Sequence, residues 1–338
     1  MLWLTWRQHR TELIGVLATA VVLAVVTAFA AAFAQRTRLE LGVDTCVPLP
    51  SGNANCVNLA QEWRNRVGLL LYLFQGFYLV PALVASYIGG PLFARELERG
   101  THRLAWTQGI SRIRWGATTI GLVLAFTLVG AVALAVVGGQ TRSFLGTSVF
   151  SIPVSRPWDT FDVEGPAFIS FVLFGLAVGA FVGAWRRRIL FGMFYGLLLF
   201  ALVRIGVSSD LRPFYEPPIA VTQTPFVFTG TFPSPFASPV PTDAWQVGYD
   251  AVDGQGRFVP QTIVKALNDD FGRVGCRPGQ PTSCDNIAYL NEHDVYPRLL
   301  YQPADRYWRF QFTESGLYLA LTAGLVALTL FMLGRRDA

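Results

Sequence analysis

The histidines of this chain do not show the spacing of a metal or catalytic site. His9, His102 and His293 lie in separate segments, and none has a second metal ligand at helical or turn spacing. The densest polar cluster, Asn291–Asp294, is explained better by a solvated loop than by general acid–base chemistry. The chain also lacks the G-x-S-x-G pattern of a serine nucleophile. We therefore predict that the chain is not an enzyme and holds no metal.

Residues that bind nucleotide phosphates are missing as well. Lys265 is the only lysine, and no G-x-x-x-x-G-K-[ST] loop is present. The long apolar segments lack the Asp, Glu or Lys expected of a carrier driven by protons or sodium ions. This pattern favours a transport protein that is powered by another polypeptide. Any ATP and Mg²⁺ would bind that partner, and we predict that this chain binds no cofactor directly.

The composition is that of a membrane protein. Hydrophobic residues make up 52% of the 338 residues and charged residues only 14%, whereas soluble domains carry about 25% charged residues. Six apolar segments approach the ~20 residues that a membrane-spanning helix needs. They are Leu13–Phe33, Leu69–Gly89, Ala117–Val137, Ala167–Ala184, Ile189–Val207 and Leu317–Leu333. We predict an all-α integral membrane protein that contacts the lipid bilayer through six transmembrane helices.

The distribution of arginines predicts that both termini lie in the cytoplasm. With this orientation the short inner segments carry 12 arginines and the short outer loops carry 6. The basic residues are thus concentrated on the inner side of the membrane. The net charge of +5 reflects this topology rather than a surface for nucleic acid, and we expect no nucleic-acid partner. The predicted domains are residues 1–207 with five spans and an amphipathic N-terminus, an extracytoplasmic domain at 208–313, and a last span with a cytoplasmic tail at 314–338.

The extracytoplasmic domain between spans five and six is predicted to be large and irregular. Its first third is rich in proline and should be extended, without regular sheet. A hairpin is plausible around Asp253–Gly254. Short helices are predicted at Gln261–Phe271 and at Asp285–His293.

The four cysteines form two local pairs on the predicted outer side. Cys46 and Cys56 share the first outer loop, and Cys276 and Cys284 share the last one. In an oxidising compartment such pairs are typical of disulfides. Unpaired cysteines placed by chance remain the alternative.

Three glycines in the fourth span predict close helix packing. Gly175, Gly179 and Gly183 recur every four residues, and such a stripe lets another helix approach closely. Arg204 lies near the end of the fifth span, where its side chain is expected to reach the membrane interface. The sequence leaves open whether Arg204 or Gln75 lines a transport path.

The segment at residues 91–115 is charged and amphipathic and lies between two apolar runs. Its apolar residues recur at helical spacing, and the glycine at position 100 suggests that one helix ends there and a second begins. The segment is either a surface that a soluble partner grips or a solvated connector. Residues alone do not separate these two interpretations.

This segment resembles the loop between the second and third spans of permeases of type-2 ABC exporters, and Trp3–Arg10 and Tyr301–Phe312 resemble members from high-GC bacteria. The resemblance rests on Glu96-x-Glu98-Arg99-Gly100-Thr101 and on Thr107–Arg112. It implies a permease subunit in a bacterial cytoplasmic membrane that moves a substrate outward. It also implies a second permease chain, as homodimer or heterodimer, and cytoplasmic ABC ATPase subunits as partners. The implied contact residues are Glu96, Glu98, Arg99, Gly100 and Thr101.

A second hypothesis assigns no transport to the chain. In it, the outer domain binds a ligand, and the spans signal this event to an inner partner, as in a membrane sensor or immunity protein. The size of the outer domain and its aromatic content motivate this hypothesis.

Overall fold

The computed structural model contains six helices that are long and apolar enough to cross a membrane. It describes residues 2–43, 58–59, 61–63, 65–68, 70, 76–100, 111–145, 157–223, 240–241, 243–274 and 286–335. Within these ranges the six candidate spans are Ile14–Glu40, Gly76–Arg99, Arg112–Gln140, Trp158–Arg186, Ile189–Phe214 and Ala304–Arg335. The mainly helical fold with six candidate spans is therefore confirmed for the described part of the chain.

The helices of these spans are named in chain order. They are α1 at Leu2–Glu40, α2 at Gly76–Arg99, α3 at Arg112–Leu145, α4 at Gly165–Arg186, α5 at Ile189–Gly206 and α8 at Tyr307–Arg335. A short 3₁₀ turn at Pro157–Thr160 precedes α4, and a π-helical and a 3₁₀ turn extend α5 to Phe214. Two compact units result. The first contains α1 to α5 and α8 from Trp308 onward, and the second is Pro213–Tyr307.

Helix α4 forms the centre of the first unit. In its most apolar stretch 89% of the residues are buried, against 17% in α1 and in α5 and 22% in α8. A helix that is apolar on all sides must be covered by protein or by lipid. The exposed apolar side chains of α1, such as Phe29, and of α5, such as Leu190, fit contact with lipid.

Helix α2 ends later in the chain than predicted. The expected second span, Leu69–Gly89, ends at Gly89, whereas the described helix runs from Gly76 to Arg99, so the charged residues from Arg95 to Arg99 form its last turns. The sequence Gly-Gly-Pro at 89–91 resembles a helix end. The helix continues because Val84–Gly89 is π-helical, which shifts the hydrogen-bond register before Pro91. Leu92, Phe93 and Ala94 are then buried, which favours continuation over termination.

The second unit contains a three-stranded antiparallel sheet, so the prediction of an irregular domain is wrong. The strands β1 (Ile219–Thr222), β3 (Tyr296–Gln302) and β2 (Trp245–Val252) lie side by side in that order. Strand β1 occurs in the proline-rich third that was expected to lack sheet, because its partner is far away in the chain: Ile219 pairs with Tyr301. Local composition does not reveal such a distant partner.

Two helices and a turn complete the second unit. The predicted helices are confirmed as α6 at Gln261–Val274 and α7 at Asn286–Glu292. Strand β2 ends in a turn closed by Asp253, whose carboxylate accepts hydrogen bonds from the backbone and side chain of Arg257. These hydrogen bonds lower the pKa of Asp253. A single bridge, Val252 to Phe258, follows the turn, while the main partner of β2 is β3.

Candidate functional site

Helices α2 and α4 contact each other backbone to backbone along a stripe of glycines. A Cβ atom added at Gly175 would lie 2.4 Å from the carbonyl oxygen of Pro81, and one at Gly179 would lie 2.1 Å from that of Ala85. One at Gly183 would lie 2.2 Å from the carbonyl oxygen at position 90. Any side chain at these three positions would therefore push α2 away from α4.

Helix α5 joins the same contact. A Cβ atom at Gly192 would lie 2.5 Å from the carbonyl oxygen of Gly90, and one at Gly196 would lie 3.0 Å from the Cα atom of Gly179. We call this contact of α2, α4 and α5 the glycine seam. Because backbone rather than flexible side chains fills it, the seam fixes the relative positions of the three helices.

The last turn of α2 is tied to the first residue of α5 by a side chain. The Glu98 carboxylate accepts a hydrogen bond of 2.8 Å from the backbone N–H of Ile189. The first N–H groups of a helix lack partners within the helix, and a negative charge there is favourable. The N-cap residue of α5, Arg188, makes no side-chain cap hydrogen bond. Glu98 of α2 therefore acts as the N-terminal cap of α5.

An open recess lies beside this tie. It has a volume of about 780 Å³ and is lined by Leu97, Glu98 and residues 187–191. Helix α2 ends at Arg99, and Gly100 has a φ of +73°, a left-handed conformation that favours glycine. Both Glu98 and Arg99 are exposed, so their charges are available to a partner of this surface.

A buried group of four charged residues lies at the opposite end of α5. We call Asp162, Arg204, Arg212 and Glu314 the charge cluster. Arg212 contacts Glu314 through Nε and Nη2, both at 2.7 Å, and Asp162 through Nη2 at 2.6 Å. Arg204 donates to Glu314 at 2.9 Å and also bonds Asp162. The cluster joins the segment before α4, the end of α5 and the first turns of α8.

The charges of the cluster are balanced. Two guanidinium groups face two carboxylates, and the Glu314 side chain is fully buried. Aromatic rings cover the cations: the Arg204 guanidinium lies 4.0 Å from the ring centre of Phe171, and that of Arg212 lies 4.3 Å from Phe161. Buried charges are tolerated only when they are paired in this way.

The sequence of the first unit matches one known family. Residues 14–212, more than half of the chain, match the model of the family described as ABC-2 membrane transporter related. The chain belongs to this family. No curated protein and no solved structure matches it significantly. The match begins in α1 and ends at Arg212, so the glycine seam and three members of the charge cluster lie inside it. This ABC-2 family protein is thus a multi-pass membrane transport component, a type of chain that is not itself catalytic.

The residues singled out in the sequence of this ABC-2 family protein lie at two places. Glu98, Arg99 and Gly100 are at the end of α2, and Glu96 is half-buried one turn earlier. Gly175, Gly179 and Gly183 are in the glycine seam. Thr101, Gln75 and the four cysteines Cys46, Cys56, Cys276 and Cys284 lie outside the described residues, as does most of the expected second half of the loop.

The Arg204 side chain turns into the protein rather than to solvent: it is only 16% exposed and contacts Glu314 and Asp162. The reason is that two carboxylates distant in sequence supply closer partners than water does. Arg204 and Asp162 also border a small cavity of about 190 Å³ that Tyr78 and Ser208 line.

Sequence reasoning missed the other members of the charge cluster. Glu314 was placed just before the last apolar segment, whereas α8 begins at Tyr307 and includes it. A signal was present: charges of opposite sign stand near the ends of the fourth, fifth and sixth spans. Among the described residues, no group of three or more His, Cys, Asp or Glu residues has metal-binding geometry.

Proposed function

We propose that this ABC-2 family protein is the permease subunit of an ATP-driven exporter in the cytoplasmic membrane of a high-GC bacterium. The observation that carries the proposal is the family match across α1 to α5, which include the three helices of the glycine seam. A second permease chain and cytoplasmic ABC ATPase subunits complete the transporter. ATP and Mg²⁺ bind the ATPase, and the substrate moves outward.

In this proposal the end of α2 receives the force. Glu96, Glu98, Arg99, Gly100 and Thr101 form the contact with the ATPase. The short distances across the glycine seam support this role, since a rigid contact passes a displacement of α2 directly to α4 and α5. The hydrogen bond from Ile189 to Glu98 adds a direct link to α5.

The proposal also assigns the two sides of the membrane. Both termini and the turn at Arg186–Arg188 face the cytoplasm, and the second unit faces outward. The exposed arginines at that turn and Arg99 lie at one end of the helices, which agrees with the enrichment of arginine on the cytoplasmic side.

Co-purification with a candidate ABC ATPase subunit tests the proposed contact. We expect Glu98→Arg to weaken the complex strongly, and Gly100→Pro to do the same, because proline cannot adopt a φ of +73°. Asp210→Arg is the matched control, since Asp210 is exposed near the other end of α5. A complex that survives Glu98→Arg and Gly100→Pro together would refute the assigned contact.

A sensor function keeps one supporting observation. The second unit has its own apolar core, including Ala251, Val264 and Leu290, and lies outside the family match. Vesicles that contain the chain and its ATPase separate the two functions. ATP-dependent flux supports the exporter, whereas ligand-stimulated ATP hydrolysis without flux supports the sensor.

A further inference from the structure

An apolar cavity lies among α1, α2 and α3, apart from the glycine seam and the charge cluster. Its volume is about 420 Å³, with Val172 of α4 as its floor. Pockets that hold small molecules span roughly 300–1,000 Å³. Its rim includes Leu23 of α1 and Leu83 and Tyr87 of α2, which are 37%, 49% and 65% exposed. The cavity therefore opens between α1 and α2, at a depth where the surroundings are lipid chains.

The cavity is long along α2. It extends from Val80 to Arg95, which is about 22 Å at the rise of a helix. One leaflet of the hydrocarbon core is about 15 Å thick, half of the ~30 Å bilayer core. The cavity thus has the length to take one extended acyl chain together with a polar group.

A buried hydroxyl inside the cavity has no partner. Elsewhere in α1, α3 and α8, Thr37, Thr118, Thr322 and Thr329 each donate a hydrogen bond to the carbonyl oxygen four residues earlier. Thr127 lines the cavity, is only 2% exposed, and makes no hydrogen bond. A buried hydroxyl without a partner is unfavourable, and an oxygen atom of a ligand would satisfy it.

Arg95 lies at one end of the cavity. Arg95 is the only charged residue among the described residues that line the cavity. Its guanidinium is suited to bind a carboxylate or a phosphate through two hydrogen bonds. The apolar walls, the charge at one end and the hydroxyl along one side match an amphipathic anion.

We propose that this cavity binds one anionic lipid, with its acidic group at Arg95 and a polar oxygen at Thr127. The lipid enters from the bilayer between α1 and α2. An anionic phospholipid supplies this chemistry through its phosphate and its ester oxygens, whereas a free fatty acid has an acidic group but no second polar oxygen for Thr127. The proposal does not depend on the ATPase, because binding is measured on the permease chain alone.

Native mass spectrometry of the purified full chain tests the proposal with three probes: dioleoylphosphatidylglycerol, dioleoylphosphatidylcholine and oleate. We expect the wild type to retain one phosphatidylglycerol. Leu83→Trp should fill the cavity and reduce retention about tenfold. Leu79→Trp is the matched control, since Leu79 is exposed on α2 and does not line the cavity. Size-exclusion profiles check that both variants are folded.

Two further variants test the polar groups. Arg95→Gln should lower phosphatidylglycerol affinity about tenfold, and the nearly isosteric Thr127→Val about fivefold. Displacement of phosphatidylglycerol by oleate, which has no second polar oxygen, would contradict the role of Thr127, and failure to displace it supports the phospholipid. Equal retention by wild type and Leu83→Trp, or equal retention of phosphatidylcholine and phosphatidylglycerol, would overturn the proposal.

Discussion

Helix α5 is held at its two ends by opposite kinds of interaction. Near Ile189, its glycines allow backbone contact with α2 and α4, and few side-chain atoms take part. Near Arg204 and Arg212, two charged side chains reach carboxylates on other segments. The first contact depends on the absence of side chains at the glycines, and the second depends on paired opposite charges. An atom added in the glycine seam should therefore destabilise the protein, and so should an unpaired charge in the charge cluster.

This difference also separates what each end does. A backbone contact cannot rearrange without separating the helices, so the seam suits the transmission of movement. A group of ion pairs has several partners and can exchange them, as Arg204 and Arg212 both contact Asp162 and Glu314. The end of α5 with the cluster therefore has alternative pairings that the other end lacks.

Removal of the most buried carboxylate should have the largest effect. Glu314→Leu leaves two buried guanidinium groups with one carboxylate, and we expect the free energy of unfolding to fall by about 3–5 kcal/mol. Thermal unfolding in detergent measures this. Glu40→Leu is the control, because Glu40 is exposed at the end of α1 and should change stability by less than about 0.5 kcal/mol. Equal losses for the two variants would contradict the role of the cluster.

Removal of an oppositely charged pair should lower the free energy of unfolding by less than the sum of the two single substitutions. Arg204→Leu and Asp162→Leu each unbalance the cluster, whereas the double variant leaves Arg212 paired with Glu314. We expect a coupling energy of about 1–3 kcal/mol in a double-mutant cycle followed by thermal unfolding. Strictly additive losses would show that the charges act independently.

One added methyl group should disturb the glycine seam. Gly179→Ala would place its Cβ atom 2.1 Å from the carbonyl oxygen of Ala85, so we expect a loss of about 1–3 kcal/mol in the same assay. Gly121→Ala is the matched control. Its Cβ atom would meet no atom within 4 Å, and alanine favours a helix by up to about 1 kcal/mol. A neutral Gly179→Ala would disprove the close contact.

The smallest effect is expected at the tie between α2 and α5. Glu98→Ala removes the acceptor of the Ile189 N–H and should cost about 1 kcal/mol, whereas Glu98→Gln retains an oxygen acceptor. Hydrogen exchange at the Ile189 amide measures the difference. Faster exchange in Glu98→Ala alone fits the hydrogen bond, and unchanged exchange in both variants does not.

Local signals were sufficient for some features of this protein. The six spans follow from apolar runs, because a helix in lipid needs about 20 apolar residues regardless of its neighbours. Helices α6 and α7 follow from local periodicity. The stripe at Gly175, Gly179 and Gly183 was visible from its spacing, although its contact with α2 was not.

Other features required the folded chain. Sequence alone ended the second span too early, because tertiary burial of Phe93 and Ala94 carries the helix past a Gly-Gly-Pro signal. The sheet was missed because β1 pairs with β3 across most of the second unit. Composition describes residues one segment at a time, whereas both features depend on contacts between distant segments.

The amino-acid sequence by itself determined the class of this protein, its number of candidate spans and the family to which it belongs. These properties depend on local hydropathy and on short motifs, which can be read from the sequence without knowledge of contacts between distant segments. Only the tertiary structure decided that Arg204 and Arg212 meet Asp162 and Glu314, and that Thr127 and Arg95 share one cavity. The physical reason is that a buried charge or hydroxyl is stabilised by its partners in space, which any distance along the chain can separate.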